Sequence, residues 1–147
     1  KKIPFYTITD LIIPAVPFGI ALGRIGNFIN GELYGRITDS NLCMHFPSDP
    51  ENCRYPSQIF ELMLEGVLLF VIIFFIRKKI KKPGILSWIF ALLYGIFRFI
   101  GEFFREPDIQ IGYIFGWMTM GQIFSMIMIF ISTIFIIHIW QLQKKPL

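Results

Sequence analysis

The chain has 147 residues, of which 54% are hydrophobic, 17% are aromatic and only 16% are charged. This composition, with its 17 phenylalanines and long apolar runs, argues against an ordinary soluble domain and is typical of an integral membrane protein. The net charge of +4 does not indicate nucleic-acid binding, because the basic residues cluster beside apolar runs rather than on a polar face.

Four apolar runs predict membrane-spanning helices. The first, Thr9 to Ile29, contains Pro14 and Pro17, which predict a kinked or broken helix. The other three are each close to the ~20 residues that a helix needs to cross the hydrocarbon core: Gln58 to Ile76, Gly84 to Phe104 and Trp117 to Trp140. The sequence therefore predicts an all-α polytopic membrane bundle of about four spans, forming a single membrane domain over residues 1–147.

The basic residues predict the orientation of this bundle. With four spans, the lysines near both termini and the run Arg77 to Lys82 fall on one side, which the positive-inside rule makes cytoplasmic. Both termini are then cytoplasmic. The five remaining basic residues belong to the outer side and are all arginines, which suit bidentate recognition of phosphate or carboxylate: Arg24, Arg36, Arg54, Arg98 and Arg105.

The segment RFIGEFFR places Arg98, Glu102 and Arg105 along one face of the third span. A charge at this depth costs roughly 2.5 to 3.5 kcal/mol, which a paired acid offsets in part. Two readings stay open. The three residues form a structural ion pair, or Arg98 receives an anion while Glu102 orients it.

The preceding span carries Glu61 and Glu65 at the same four-residue spacing. Like charges so close together require a nearby arginine or a bound proton. Glu61 lies near the outer end, and we expect it to be the wetter of the two, with an interfacial side chain as the alternative. Pro56 and Ser57 resemble a helix start with Ser57 as its N-cap.

Histidine and cysteine do not indicate a metal site. His45 has no second histidine or acid at ligand spacing, and His138 lies at the cytoplasmic end of the last span. Cys43 and Cys53 share the outer loop, where they form a disulfide in an oxidising compartment or remain two free thiols.

The segment GRIGNFINGELYGR, residues 23–36, ends the first apolar run with charges, amides and glycines. Glycines let a backbone approach a ligand, and unwound backbone offers N–H donors to an anion. With Arg24, Asn27 and Asn30 as further donors, the segment predicts a polar pocket at the outer face. A plain glycine-rich turn is the alternative.

Three motifs together resemble one family. GRIGNFINGELYGR, YPSQIFE at residues 55–61 and YGIFRFIGEFFREPDIQIG at residues 94–112 are similar to blocks of the prolipoprotein diacylglyceryl transferases of the bacterial inner membrane. The resemblance covers essentially the whole chain but only the C-terminal half or so of the family's fold. Tyr55 stands where many members have histidine, which removes one acid–base group.

The resemblance implies transfer of the diacylglyceryl group of phosphatidylglycerol to the lipobox cysteine in a prolipoprotein signal peptide. The product is a thioether, glycerol-1-phosphate is released, and no metal or organic cofactor is needed. The active face is expected to point toward the periplasm. The resemblance also carries over six site residues: Arg24, Asn27, Glu32, Gly35, Arg98 and Glu102.

We expect Arg24 and Arg98 to clamp the phosphate, with Glu32 and Glu102 holding these arginines in place. Asn27 would bind headgroup oxygens, and Gly35 would give the backbone room. The catalytic set is then Arg24, Asn27, Arg98 and Glu102. Two other readings stay open: an inactive remnant or non-catalytic phospholipid-binding protein, and an anion transporter. The one-sided charges and the lack of an evident inverted repeat argue against the transporter.

Overall fold

A computed structural model of the chain describes residues 3–107 and 110–142, and the predictions made for Lys1, Lys2, Lys144 and Lys145 lie outside these ranges. The structure is mostly helical. Helix α1 (Phe5–Ile12) continues through a short 3-10 turn, Ile13–Ala15, into helix α2 (Val16–Ile29). Pro14 lies within this turn and Pro17 lies in the first turn of α2, where a missing N–H is tolerated.

A two-stranded hairpin follows, which the all-α prediction missed. Strands β1 (Met44–Phe46) and β2 (Asp49–Arg54) pair antiparallel, and Cys43 is joined to Cys53 by a disulfide with 5.3 Å between the Cα atoms. The strands are short and largely polar, so their sequence lacks the apolar alternation that identifies a strand. Of the two cysteine alternatives, the structure has the disulfide.

The next helical stretch runs from Ser57 to Ile76 as helix α3 (Ser57–Glu61), a π-helical segment (Leu62–Leu68) and helix α4 (Leu69–Ile76). The prediction that Ser57 caps this helix is wrong. Pro56 holds the N-cap position, and the Ser57 hydroxyl donates instead to the carbonyl of Leu33 at 3.0 Å. Ser57 therefore ties the helix to the preceding loop.

Helices α5 (Ile85–Gly101) and α6 (Met120–Leu142) pack closely against each other. Gly95 allows this contact, because a Cβ atom there would lie 2.9 Å from the side chain of Ile129. Trp88 stacks on Phe135 with 4.3 Å between the ring centroids. A small apolar core on the other side of α5 is formed by Leu69, Ile73 and Leu86.

Within the described residues, three helical stretches are long and apolar enough to cross a membrane: Phe5–Ile29, Ser57–Ile76 and Met120–Gln141. Helix α5 is apolar but has 17 residues. Large apolar side chains are exposed along the helices, for example Phe130 on α6 at 67%. Such a surface suits lipid, which makes this a membrane helix bundle.

Candidate functional site

Arg24 of helix α2 lies against two glutamates of the neighbouring helical stretch. Its Nη1 atom is 2.9 Å from Oε2 of Glu61, and its Nη2 atom is 3.1 Å from Oε2 of Glu65. A single guanidinium therefore bridges both acids. The expectation that these like charges require an arginine nearby is confirmed.

Arg98 of helix α5 approaches the same two acids from the opposite side. Its Nη1 atom lies 3.1 Å from Oε1 of Glu61 and 3.5 Å from Oε1 of Glu65. Its Nη2 atom lies 2.5 Å from Oε1 of Glu102, one helical turn onward. Arg24 and Arg98, which are far apart in the sequence, thus share one pair of carboxylates.

Arg105 completes the cluster, with its Nη1 atom 4.0 Å from Oε1 of Glu61. We call these six side chains the ion network: Arg24, Glu61, Glu65, Arg98, Glu102 and Arg105. The formal charges of its three arginines and three glutamates balance, which reduces the cost of holding charge inside the bundle.

Burial separates the two kinds of charge in the ion network. The side chains of Glu61 and Glu65 are 0% exposed, whereas those of Arg24 and Arg98 are 13% and 16% exposed. The prediction that Glu61 is wet or interfacial is wrong, because two helices carrying arginines close over it. Part of each of these arginine side chains therefore stays accessible, whereas the two carboxylates are fully buried.

The start of helix α6 holds Glu102 on its other side. The hydroxyl of Thr119 donates to Oε2 of Glu102 at 2.7 Å. A Cβ atom on Gly121 would lie 2.5 Å from Oε1 of Glu102, so this glycine lets the chain pack directly on the carboxylate. Neither contact is indicated by sequence spacing, since Thr119 and Gly121 are distant from Glu102 along the chain.

The GRIGNFINGELYGR segment differs from the expected unwound backbone. Helix α2 extends to Ile29, so Arg24 and Asn27 project from a regular helix and the loop begins only at Asn30. Gly31, with φ of +66°, begins the turn that reverses the chain. The two donors, Arg24 and Asn27, are therefore positioned by a helix rather than by unwound backbone.

Glu32 does not hold Arg24, which corrects that part of the prediction. Its side chain is exposed and accepts a hydrogen bond from Nδ2 of Asn30 at 3.3 Å. Its backbone carbonyl accepts one from Nε2 of the buried Gln58 at 2.7 Å. The turn at Gly31 directs Glu32 away from the ion network, and Glu61 and Glu65 take the role assigned to it.

Gly35 gives room to the protein's own backbone. It pairs with Arg105 in an isolated β-bridge, and a Cβ atom there would collide with the Phe104 carbonyl and with Tyr55. The side chain of Arg36 extends this contact by donating to the carbonyls of Arg105 and Glu102 at 2.9 and 3.1 Å. The loop is thereby tied to the end of helix α5.

A cavity of about 240 Å³ adjoins the ion network between the end of helix α5 and the start of helix α6. Its lining includes apolar residues such as Ile111 and Phe124, together with two arginines and two acids: Arg98, Glu102, Arg105 and Glu106. Guanidinium donors beside apolar groups fit an amphipathic ligand with a polar head.

The fold and the site define a helical membrane protein that holds arginines over buried carboxylates beside a cavity. Comparison with known proteins gives the family. The sequence model of the family described as prolipoprotein diacylglyceryl transferase matches residues 1–138. The chain belongs to this family.

Its relatives include proteins named phosphatidylglycerol–prolipoprotein diacylglyceryl transferase. One from Rickettsia bellii is 50% identical over 139 residues, covering 92% of this chain and 53% of the relative. One from Shewanella sp. (strain ANA-3) is 50% identical over 129 residues, covering 88% and 48%. One from Francisella tularensis subsp. mediasiatica is 47% identical over 142 residues, covering 96% and 53%. The chain spans about half the length of these relatives.

Proposed function

We propose that this chain is the C-terminal portion of an enzyme that transfers the diacylglyceryl group of phosphatidylglycerol to the lipobox cysteine of a prolipoprotein. The proposal rests on the family to which the chain belongs and on one structural observation. That observation is the pair Arg24 and Arg98, brought together over the same two buried glutamates.

In this reaction the cysteine sulfur attacks the terminal glycerol carbon of the diacylglyceryl group. A carbon–sulfur bond forms, the carbon–oxygen bond to the phosphate breaks, and the thiol proton passes to a base. Glycerol-1-phosphate leaves, so negative charge grows on the phosphate. Arg24 and Arg98 stabilise that charge, since fixed donors in a water-poor site lower a barrier most effectively.

The glutamates orient the arginines rather than react. Glu61 and Glu65 hold both guanidinium groups, and Glu102 holds Arg98 from the side. The two arginine side chains remain partly exposed, and Arg98 lines the cavity, which supports their assignment to the phosphate. We assign the headgroup oxygens to Asn27 and the exposed Glu32, while Gly35 acts by closing the loop onto helix α5.

We place this portion in the bacterial inner membrane with four spans, both termini in the cytoplasm and the ion network toward the periplasm. The basic run Arg77 to Lys82 supports this orientation, because it lies at the opposite ends of the helices from the ion network. The disulfide in the outer hairpin supports it as well, since the periplasm is oxidising.

The test is transfer of the diacylglyceryl group to a lipobox peptide by a full-length protein containing this portion. Arg24→Lys keeps the charge but loses the two-pronged donor, and Arg98→Ala removes the second donor. Each is expected to lower kcat/KM by about 10²-fold or more at normal expression. The exposed Lys79→Gln serves as the control. Full activity in both arginine variants would contradict the phosphate clamp and favour a non-catalytic lipid-binding protein.

A further inference from the structure

A second cavity lies at the opposite end of the helices from the ion network. It measures about 390 Å³, which falls within the range of small-molecule sites. Residues from α1, the 3-10 turn, the end of α4 and the start of α5 line it: Thr7, Asp10, Leu11, Pro14, Arg77, Lys78, Ile80 and Leu86. Nothing in the proposed reaction uses this cavity.

Its lining divides into a basic rim and apolar walls. Arg77 and Lys78 are exposed and supply two positive charges. The guanidinium of Arg77 lies 4.2 Å above the ring centroid of Phe74, which restrains its orientation. Leu11, Leu86 and other apolar side chains form the remaining wall. The ligand that matches this lining has an anionic group joined to an apolar chain.

Asp10 lines the cavity too, but its charge is already engaged. Its Oδ2 atom accepts from the backbone N–H of Gly84 at 2.7 Å, and its Oδ1 atom accepts from the N–H and hydroxyl of Ser87 at 2.9 and 2.5 Å. The carboxylate therefore caps the N-terminus of helix α5 from a different helix. Two cations line the cavity with one acid whose oxygens are occupied by donors of helix α5, so the lining carries a positive net charge and favours an anion.

The cavity also lies at the ends of two apolar stretches, where the polar headgroup layer of a membrane is expected. Arg77 directly follows the apolar stretch Ser57–Ile76, and Thr7 lies near the beginning of the stretch Phe5–Ile29. Two apolar spans thus meet the polar headgroup layer at this cavity. Basic pockets between spans at this level are suited to acidic headgroups.

We propose that this cavity binds an anionic phospholipid, with Arg77 and Lys78 on its phosphate and Leu11 and Leu86 against its acyl chain. The lipid is bound rather than consumed. It joins α1, α4 and α5 at the end of the molecule remote from the ion network. The proposal does not depend on transferase activity, because its test measures binding.

The chain is reconstituted into phosphatidylcholine vesicles containing increasing fractions of phosphatidylglycerol, and its unfolding midpoint is recorded. Measurements in an Arg24→Lys background reduce any contribution from lipid at the ion network. Arg77→Gln/Lys78→Gln is compared with Lys79→Gln/Lys81→Gln, which removes the same charge from exposed positions of the same run that do not line the cavity.

We expect phosphatidylglycerol to raise the unfolding midpoint of the control variant Lys79→Gln/Lys81→Gln. The variant Arg77→Gln/Lys78→Gln should need a fraction of phosphatidylglycerol at least tenfold higher for the same rise. If both double variants lost the same part of the rise in midpoint, the proposal would be overturned, because the lipid would then act by general attraction to a basic surface. An equal rise with inorganic phosphate alone would also overturn it, since a free anion makes no use of the apolar walls. The proposal would also be overturned if Arg77→Gln/Lys78→Gln kept the full rise in unfolding midpoint.

Discussion

At the scale of single residues, Glu61 is the centre of the ion network. One of its carboxylate oxygens faces Arg24 and the other faces Arg98, while Arg105 lies at the edge of contact. No other acid of the network contacts all three arginines among the ion pairs described. Its charge therefore compensates more of the buried positive charge than that of Glu65 or Glu102.

We predict that Glu61→Gln lowers the free energy of unfolding by about 3–5 kcal/mol, because it leaves the three arginines of the ion network with two carboxylates, Glu65 and Glu102. Glu51→Gln, on the exposed edge of the hairpin, is the matched control and should change stability by no more than about 0.5 kcal/mol. Equilibrium unfolding of the purified chain in detergent measures both. Similar values for the two variants would show that the network contributes little to stability.

Asp49 in the outer hairpin provides a pH-dependent contact. Hydrogen bonds from Arg54, and secondarily from Asn52, hold the pKa of the Asp49 carboxyl below its ordinary value of 3.8. A lowered pKa in the folded state means that the contact stabilises the protein fully above pH 3.8. This contribution is lost as the pH falls through the lower, folded-state pKa.

We predict that Asp49→Asn lowers the unfolding midpoint at pH 7 and that the difference from the unsubstituted chain disappears below the folded-state pKa. Thermal unfolding across this pH range measures the effect. Asp39→Asn, in the loop before the hairpin, controls for the removal of one acid. A constant difference at every pH would rule out ionisation of Asp49 as the cause.

At the scale of secondary-structure elements, the approach of helix α2 to the π-helical segment positions Arg24. Gly66 is buried, and a Cβ atom there would lie 2.8 Å from Cβ of Ala21. Ala21 lies one turn before Arg24, while Gly66 directly follows Glu65. The close contact of these two small residues therefore determines whether one guanidinium can reach both Glu61 and Glu65.

We predict that Gly66→Ala lowers the free energy of unfolding by about 1–3 kcal/mol through overpacking. Adding Ala21→Gly in the same chain should recover most of the loss, because the methyl group has only moved to the other helix. Gly19→Ala, at a helical position with nothing within 4 Å, should be neutral or slightly stabilising. Unfolding of the three variants measures this, and failure of the double variant to recover stability would refute the contact.

At the scale of the whole molecule, the ion network and its cavity lie within a chain about half as long as its relatives. We propose that the rest of such a fold supplies the base for the cysteine thiol. The expected outcome is little or no lipidation of a lipobox peptide by these 147 residues alone in phosphatidylglycerol vesicles, and measurable transfer by a full-length protein. Full transfer by the isolated chain would show that the base lies within it.

Local signals predicted the helical stretches to within a few residues at most of their ends. The span predicted at Gln58 to Ile76 forms the helical stretch Ser57–Ile76, and the run ending at Ile29 ends there in the structure. These features depend on apolar length and on proline and glycine positions, which are local properties. The four-residue spacing of Arg98 and Glu102 places them on one helical face, and the two side chains are in contact in the structure, because this spacing is a local property too.

Non-local contacts were the source of the errors. The family resemblance led to the expectation that Glu32 holds an arginine in place, yet the turn at Gly31 directs its side chain outward. Glu61 was expected to be solvated because it lies near the outer end of its helix. In the structure, arginines from α2 and α5 contact it and its side chain is buried. Short-range spacing carries no information about which helix lies on each side of a residue.

The sequence by itself determined the membrane character, the helical stretches and the presence of arginines and acids inside them, because apolar length and charge are properties of each segment. Only the tertiary structure decided that Arg24 and Arg98 share Glu61 and Glu65, and that Thr119 and Gly121 meet Glu102. Helix packing decides these partners, because a buried charge is stable only where another segment brings its counter-charge.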